Sequence, residues 1–281
     1  MSPRVRKLGF IMGLALGLHY PGKTAADVLQ EVLIEKRLRC GVYADVPPFS
    51  SPDPVSRKMV GMDVDLCAAV ATQLNVSVEF VPLSVESRIP ELQMGRVDVL
   101  IANLAYTRSR AAQIDFSYSY YVAQEELVVR HEDAARSPAD FRGQRISATK
   151  GSTSEQSIRA NGAVAVTYQD TGAAYLALQQ HKVQGFVTNS MTAHKLILQV
   201  AAAGVHLDLL QQPMALEPVA IGIRKGEFAL VAKVNEVLQR LDRQGQIDNL
   251  WNRWLGPGTS YNMHRTSRVT DIGKLDFQPL P

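Results

Sequence analysis

Cysteine is scarce in this chain of 281 residues, with only Cys40 and Cys67 present. Two residues are too few for a scaffold held by several disulfides, and their separation matches no zinc-ligand spacing. Cys40 lies in a predicted strand and Cys67 in a predicted helix. An exported chain could join them, but cysteine is also among the most buried residue types. We therefore expect two free, buried thiols.

Motifs for the common hydrolytic and nucleotide-dependent reactions are missing. The sequence has no phosphate-binding loop of the P-loop type, no ordered Ser, His and Asp set and no cluster of metal ligands. We expect no cofactor and no metal. Four histidines are scattered in predicted helices or loops and are expected on the surface: His131, His181, His194 and His206.

An apolar run of bilayer length is absent from the N-terminal region. Residues 8–18 (LGFIMGLALGL) number 11, whereas a spanning helix needs about 20. Basic residues precede this run and small residues follow it, which is the order of a secretory signal peptide. We predict cleavage of residues 1–26 rather than a membrane anchor or a buried helix. No cysteine follows closely to carry a lipid, so a periplasmic location is expected.

The chain also lacks a basic excess once that segment is set aside. The net charge of +3 depends on four bases in residues 1–26, and the remainder carries 26 basic and 27 acidic residues. A near-neutral protein has no electrostatic footprint for nucleic acid. We expect no nucleic-acid partner.

What the sequence does contain is a repeated alternation of strands and helices. The first predicted β-α-β-α-β unit spans 38–102 and the second spans 145–188. Within the first, Asp63 is the predicted N-cap of a helix over 63–74. Strand-like runs at 120–130 and 218–226 connect the units, and two helices over 228–256 follow them. The tail after residue 256 shows weak pattern and is expected over the surface.

The two units end alike. The stretches RVDVLIAN (96–103) and KVQGFVTN (182–189) align without a gap and place Asn103 and Asn189 after equivalent strands. Ligands of open α/β sheets bind beyond the carboxyl ends of the strands. We expect both asparagines to line one cleft.

Consecutive stretches of the chain resemble the extracellular solute-binding protein family 3, the amino-acid receptors of ABC importers. The resemblance covers about residues 38 to 256, in unbroken order. The stretches that carry it are LRCGVYADVPPFS, VGMDVDLCAAVATQL, RIPELQMGRVDVLIANLAYTRSRAAQIDFSYSYY, FRGQRISATKGST and VNEVLQRLDRQGQIDNLWNRWLG.

The resemblance implies a periplasmic binding protein-like α/β fold, with two α/β lobes joined by two hinge strands. Lobe 1 would comprise residues 38–127 plus 223–260, lobe 2 would comprise 130–218, and 261–281 would form a C-terminal tail. Such proteins close around a ligand by a hinge motion. The implied partners are a small ligand and an ABC transporter permease, with the receptor itself a monomer.

The resemblance also assigns the anion end of the site. Arg110 matches the arginine that grips the ligand α-carboxylate, for which a planar guanidinium fork is suited. Arg108 is expected to be a solvated helix residue. Thr107 is a helix N-cap, a ligand contact or both. Ser152 and Thr153 match the lobe-2 loop that closes on the same carboxylate, although Ser152 with Glu155 also fits a capping box.

The cation end departs from the family pattern. Asn103 and Ala105 fall where a main-chain carbonyl and a hydroxyl usually bind the ligand ammonium, but Ala105 has no hydroxyl. Asn189 stands where the family usually has an aspartate, so the acceptor oxygen remains and the charge is lost. Tyr43 or Tyr106 would replace the aromatic usually found at Val46.

Arg88 matches a position that serves the side-chain carboxylate in receptors for acidic amino acids. The alternative is a surface arginine at a helix start, where its charge is unfavourable. An acidic amino acid is therefore one of the ligands to consider.

Two other functions fit the resemblance less well. A periplasmic dehydratase of the cyclohexadienyl type needs a carboxyl group in the cleft as general acid, and the strand ends offer Asn103 and Asn189 instead. We therefore expect no enzymatic activity. A ligand-sensing module of a membrane receptor is usually fused to a transmembrane segment, and the sequence shows none after residue 260.

Overall fold

The structure is a computed structural model that describes residues 27–202 and 204–281. The predicted signal peptide, residues 1–26, lies outside the described residues. Among the helices that are described, none combines the length and apolar character needed to cross a bilayer.

Eleven strands are described: β1 Arg37–Tyr43, β2 Ser51–Pro52, β3 Met59–Val60, β4 Ser77–Leu83, β5 Val99–Leu100, β6 Ile114–Arg130, β7 Arg145–Thr149, β8 Val164–Tyr168, β9 Gly185–Asn189, β10 Leu207–Leu209 and β11 Ala215–Arg224. The α-helices within the same residues are α1 Val28–Glu35, α2 Met62–Leu74, α3 Arg88–Gln93, α4 Arg108–Gln113, α5 Thr153–Ala160, α6 Thr171–Gln179, α7 Ser190–Ala202, α8 Phe228–Arg243 and α9 Gln246–Trp254.

One sheet runs through the molecule in the order β4-β1-β5-β11-β6-β9-β7-β8, with β10 paired to β6. Each end is a triad of parallel strands, β4-β1-β5 in what we call lobe 1 and β8-β7-β9 in lobe 2. The two long strands between them, β6 and β11, run antiparallel to each other and to the adjoining triads. The predicted fold class, two α/β lobes joined by two strands, is confirmed.

Helices cover both faces of each triad. In lobe 1 the larger apolar cluster joins β1 to α2, α8 and α9, and a smaller cluster around Leu92, Leu100 and Leu104 fills the other face. Lobe 2 has one cluster under α5 and another under α6 and α7. Parallel strands covered on both faces are expected to be almost continuously apolar. Strand β5 and residues Gly185–Val187 of β9 meet this expectation, whereas β1 carries Arg37 and Arg39 among its first three residues.

The expectation of two free thiols is wrong. Cys40 on β1 and Cys67 on α2 form a disulfide, with Cα atoms 6.3 Å apart. Both are fully buried where α2 packs on the sheet. The strand-helix packing, which the sequence spacing of the two cysteines does not reveal, brings them within bridging range.

Two details of the predicted elements also change. Helix α2 has Gly61 as its N-cap residue, and Asp63 is inside the helix, fully buried, rather than at the cap. Helix α7 was not predicted from the sequence. It follows β9 directly, and only four of its 13 residues are buried, so its apolar periodicity is weak.

The C-terminal tail lies along lobe 1 and follows the start of β6. Thr270 and Ser119 exchange two main-chain hydrogen bonds of 2.9 and 3.0 Å. Farther on, the carbonyl of Leu280 accepts the N–H of Arg108 at 2.9 Å. Before the tail, Trp251 of α9 is buried in the core of lobe 1, whereas the indole of half-buried Trp254 donates to Asp65 at 2.7 Å.

Candidate functional site

A small cavity of about 50 Å³ lies between the lobes, at the carboxyl ends of the parallel strands. Its walls come from lobe 1, lobe 2 and the two linking strands β6 and β11. Of the nine residues predicted for the site, seven line this cavity: Tyr43, Arg88, Asn103, Arg110, Ser152, Thr153 and Asn189. Asn103 and Asn189 thus line the same cavity.

Arg110 is buried, with 4% of its surface exposed, on the short helix α4. Its Nη1 donates to the carbonyl of Ala105 at 2.9 Å, and its Nη2 donates across the cleft to the carbonyl of Gly151 in lobe 2 at 3.2 Å. Burial, and after it the nearby charge of Arg88, lowers the pKa of Arg110 to about 10. The side chain remains a cation at neutral pH, whereas Arg108 is exposed, as expected.

Ala105 and Thr107 support Arg110 and do not line the cavity. The hydroxyl of Thr107 accepts the N–H of Arg110 at 3.1 Å, which makes it the N-cap of α4. Ala105 forms a β-bridge with Val219 of β11 and offers its carbonyl to Arg110. Thr107 was expected to be a helix N-cap, a ligand contact or both, and the structure shows the N-cap.

Asn103 is held in a left-handed conformation, with φ of 43°. Its N–H donates to Oδ2 of Asp63 at 2.8 Å, and its Oδ1 accepts from the hydroxyl of Tyr121. Tyr120 donates to the other oxygen of Asp63 at 3.2 Å. Burial raises the pKa of Asp63 to about 7, and the hydrogen bonds from Asn103 and Tyr120 act against that rise. Asp63, predicted only as a cap, therefore orients Asn103.

Asn189 ends β9 and presents a donor to the site. Its Oδ1 accepts the N–H of Met191 at 3.0 Å, and its buried Nδ2 has no partner among the described residues. The oxygen that was expected to accept from a ligand ammonium therefore already accepts one hydrogen bond from the start of α7, and the second of its two lone pairs remains.

The loop before α5 is capped as the sequence suggested. Ser152 accepts the N–H of Glu155 at 3.2 Å, but the Glu155 carboxylate accepts from Gly151 rather than from Ser152. Thr153 and Ser154 donate their hydroxyls to the two oxygens of Glu125 at 2.9 and 2.7 Å. The hydroxyl of Thr153 is therefore bound to a protein carboxyl, while helix geometry leaves N–H groups of the first turn without intrahelical partners.

Two carboxyl groups that the sequence analysis missed stand in the cavity wall. Glu125 on β6 and Glu217 on β11 are both buried. Burial, together with the neighbouring Glu217, raises the pKa of Glu125 well above its ordinary value, despite the hydrogen bonds from Ser154 and Thr153. The expectation that the cleft offers no carboxyl is wrong. Glu125 lies inside the strand-like run 120–130 and Glu217 directly precedes the run 218–226, so a polar residue in or beside a largely apolar strand was the available signal.

Arg88 is not a surface residue. It is 2% exposed, and its Nε and Nη1 donate to the carbonyls of Val85 and Ala102 at 3.1 and 2.8 Å, both within lobe 1. Its guanidinium also lies 4.7 Å from the ring centre of Tyr43. Tyr43 and Val46 form the apolar wall of the cavity, whereas Tyr106 packs on Phe116 and Phe277 elsewhere.

The lobes touch across the cleft. Besides the bond from Arg110 to Gly151, the rim carries an ion pair of 2.9 Å between Lys150 of lobe 2 and Glu86 of lobe 1. These two contacts hold the lobes together beside a cavity of about 50 Å³. The described residues contain no cluster suited to a metal ion, and the four histidines are exposed.

Comparison with known proteins supports this architecture. The chain is 26% identical over 235 residues to the ABC transporter glutamine-binding protein GlnH of Bacillus subtilis, covering 82% of this chain and 85% of that one. It is 26% identical over 259 residues to an L-arginine-binding protein of Pseudomonas aeruginosa, covering 89% and 96%.

A solved structure is also similar over most of the chain. It is that of the ancestral amino acid-binding protein AncCDT-1, a precursor of cyclohexadienyl dehydratase, with 30% identity and a TM-score of 0.71. The match covers 82% of this chain and all of that one. The family model for bacterial extracellular solute-binding proteins, family 3, matches residues 38–257. The chain therefore belongs to the bacterial extracellular solute-binding proteins of family 3.

Proposed function

We propose that this protein is a periplasmic receptor that captures an amino acid between its lobes and delivers it to an ABC importer. The observation that carries the proposal is Arg110, a buried cation in the wall of an interlobe cavity. One of its two hydrogen bonds crosses to the other lobe. A guanidinium so placed suits a ligand carboxylate.

The proposed mechanism of ligand capture depends on which hydrogen bonds of Arg110 remain when the lobes separate. The bond from Arg110 to Ala105 lies within lobe 1, so it keeps the side chain in place. The bond to Gly151 breaks, and Nη2 becomes free for the ligand. Closure then adds contacts from the loop before α5. A ligand that bridges both lobes stabilises the closed state by the contacts made only there.

The moving bodies in this mechanism are lobe 1, residues 38–127 plus 223–260, and lobe 2, residues 130–218. Strands β6 and β11 are the connections that bend. The irregular pairing of β11 with β6 between Val219 and Gly222 supports this, because interrupted pairing eases bending there.

The ligand class follows from the relatives and from the bonds of Arg88. The similar proteins are named for glutamine and arginine. Unlike the bond from Arg110 to Gly151, both main-chain bonds of Arg88 lie in lobe 1 and survive opening. Because these bonds keep Arg88 occupied by the protein, we assign it a positioning role rather than the binding of a side-chain carboxylate. This favours a ligand with a neutral or cationic side chain over one with an acidic side chain.

Export to the periplasm is supported by the family and by the disulfide between Cys40 and Cys67. Disulfides persist in oxidising compartments and are rare in the cytosol. The cleavable signal peptide at residues 1–26 and the permease partner complete this proposal, with a monomer as the receptor.

A ligand screen tests the receptor function. Purified protein is heated with single L-amino acids, dicarboxylates and prephenate, and the unfolding temperature is recorded. A ligand at 100 times its Kd stabilises the folded state by about 2.7 kcal/mol. We expect a shift with L-glutamine, L-arginine or a related amino acid. No shift with any amino acid would refute the receptor as proposed.

Glu125 favours a second candidate, a dehydratase. A carboxyl that retains its proton would protonate the departing hydroxyl, which leaves as water, while one substrate carboxylate leaves as CO2 and its bonding electrons complete the aromatic ring. Arg110 would hold the second carboxylate of the substrate. The relation to AncCDT-1, named a precursor of cyclohexadienyl dehydratase, points the same way. The test is to incubate the protein with prephenate and to measure phenylpyruvate. Turnover that is abolished in Glu125→Gln would support the dehydratase, and the absence of turnover would exclude this reaction.

A further inference from the structure

Three polar side chains share one face of the sheet at the cavity. Glu125 on β6 pairs directly with Asn189 on β9, and Glu217 on β11 pairs with Ala123. Side chains alternate along a strand and directly paired residues project to the same side. Glu125, Glu217 and Asn189 therefore face the same space, and all three line the cavity.

The two glutamates differ in what they bind. Both oxygens of Glu125 accept hydroxyls of lobe 2, from Thr153 and Ser154. Glu217 is 3% exposed, and its Oε1 is buried without a hydrogen-bond partner among the described residues. A buried carboxylate oxygen without a donor is unfavourable. A donor group of a bound ligand would satisfy this oxygen.

Asn189 carries no charge that could pair with a cationic ligand group. Its oxygen already accepts the N–H of Met191, and its buried amide donor has no partner among the described residues. A donor repels an ammonium group. The carboxyl groups among the cavity-lining side chains are those of Glu125 and Glu217, both on the linking strands.

We propose that Glu217 binds the α-ammonium group of the amino acid, with Glu125 as its hydroxyl-bound neighbour on the adjoining strand. The inference rests on the receptor function proposed above. Arg110 and Glu217 line the same small cavity, so the ligand carries its carboxylate and its cation close together. An α-amino acid has both on one carbon atom.

Paired ligands test this assignment by isothermal titration calorimetry. L-Glutamine is compared with glutaramate, and L-arginine with 5-guanidinopentanoate, each analogue lacking only the α-amino group. In Glu217→Gln, affinity for the amino acid should fall roughly 10- to 100-fold, because the amide keeps an acceptor oxygen but loses the charge that pairs with the ammonium group. Affinity for the analogue should change less than about threefold. Glu217→Asp keeps the charge and should retain the preference for the amino acid.

Glu126→Gln is the matched control, because Glu126 is the next residue of β6 and points to the opposite face. It should leave both affinities unchanged. Equal losses for amino acid and analogue in Glu217→Gln, or no loss, would overturn the assignment. A loss of affinity for L-arginine but not for L-glutamine in Glu217→Gln would also overturn it, because Glu217 would then bind the side-chain cation of arginine. Wild-type protein that binds no amino acid would instead refute the receptor function. Circular dichroism verifies that each variant is folded.

Discussion

Arg110 and Gly151 join the two lobes: Nη2 of the arginine donates to the carbonyl of the glycine over 3.2 Å. They are 41 residues apart in the sequence. The same guanidinium is fixed at its other end to Ala105, at 2.9 Å. The contact is thus one that a ligand carboxylate can replace without moving the arginine.

Replacing Arg110 with alanine should abolish measurable ligand binding. A charged, two-pronged hydrogen bond contributes several kcal/mol, so we expect a loss of at least about 100-fold in affinity by calorimetry. The exposed Arg108, two positions earlier, is the matched control, and Arg108→Ala should bind normally. Normal affinity in Arg110→Ala would contradict the assigned role.

Asp63 should make the protein less stable as the pH rises. Its pKa is about 7 in the folded state and 3.8 without the fold's influence, so the folded protein holds this proton more tightly. The stabilisation of the folded state by this bound proton is complete below about pH 4, and it is lost as the pH rises to about 7. The difference corresponds to a stability change on the order of 4 kcal/mol.

Asp63→Asn removes that titration. Urea unfolding at several pH values between about 4 and 7 should show a smaller fall in the free energy of unfolding for the variant than for the wild type. The raised pKa of Glu125 acts in the same direction in both proteins, so the difference between the curves isolates Asp63. Parallel curves would mean that Asp63 titrates normally.

Arg265 should anchor the tail far more strongly than its neighbour Arg268. Arg265 is 4% exposed and donates to Asp242, Asp248 and the carbonyl of Tyr120 at 2.6, 2.9 and 3.0 Å. Arg268 meets the same two aspartates but is 66% exposed. We expect Arg265→Ala to lower the free energy of unfolding by about 2–4 kcal/mol, and Arg268→Ala by less than about 1 kcal/mol.

Urea denaturation of the two alanine variants measures this difference. The pair is well matched because both changes remove an arginine from the same acidic partners. Equal losses would show that burial of Arg265 adds nothing to the anchoring of the tail.

Removing the disulfide should destabilise the protein without altering the site. Cys40→Ser with Cys67→Ser opens a loop with a sequence separation of 27, for which a loss of about 2–4 kcal/mol is expected. Ligand affinity should persist, because both cysteines lie in the core of lobe 1 rather than in the cavity wall. Thiols that react with iodoacetamide in unfolded, unreduced protein would contradict the bond.

Most of the fold could be predicted from the sequence. The alternation of apolar strands and amphipathic helices is local, and it located both triads and the two linking runs. Asn103 and Asn189 were predicted together because each follows the last strand of its unit. That position can be recognised from the sequence of each unit alone, without knowledge of contacts between the units.

Other features depend on contacts between distant segments. The disulfide requires the distance between β1 and α2, and the role of Asp63 requires the turn at Asn103. Glu125 and Glu217 were overlooked because Glu125 stands between the polar Gln124 and Glu126, and Glu217 directly precedes the predicted run at 218–226. Only the pairing of β6 with β11 and β9 shows that their common face is the cleft.

Glu125 and Glu217 lie within three residues of the two crossings between the proposed lobes, at 128–129 and 219–222, whereas Arg110 lies on α4 and Ser152 directly before α5. In a rotation about these crossings, points near the axis move least. In the hinge motion proposed above, the two glutamates should therefore move less than Arg110 and Ser152. On this proposal a ligand first meets the linking strands and Arg110, and the lobe-2 loop then sets its dissociation rate.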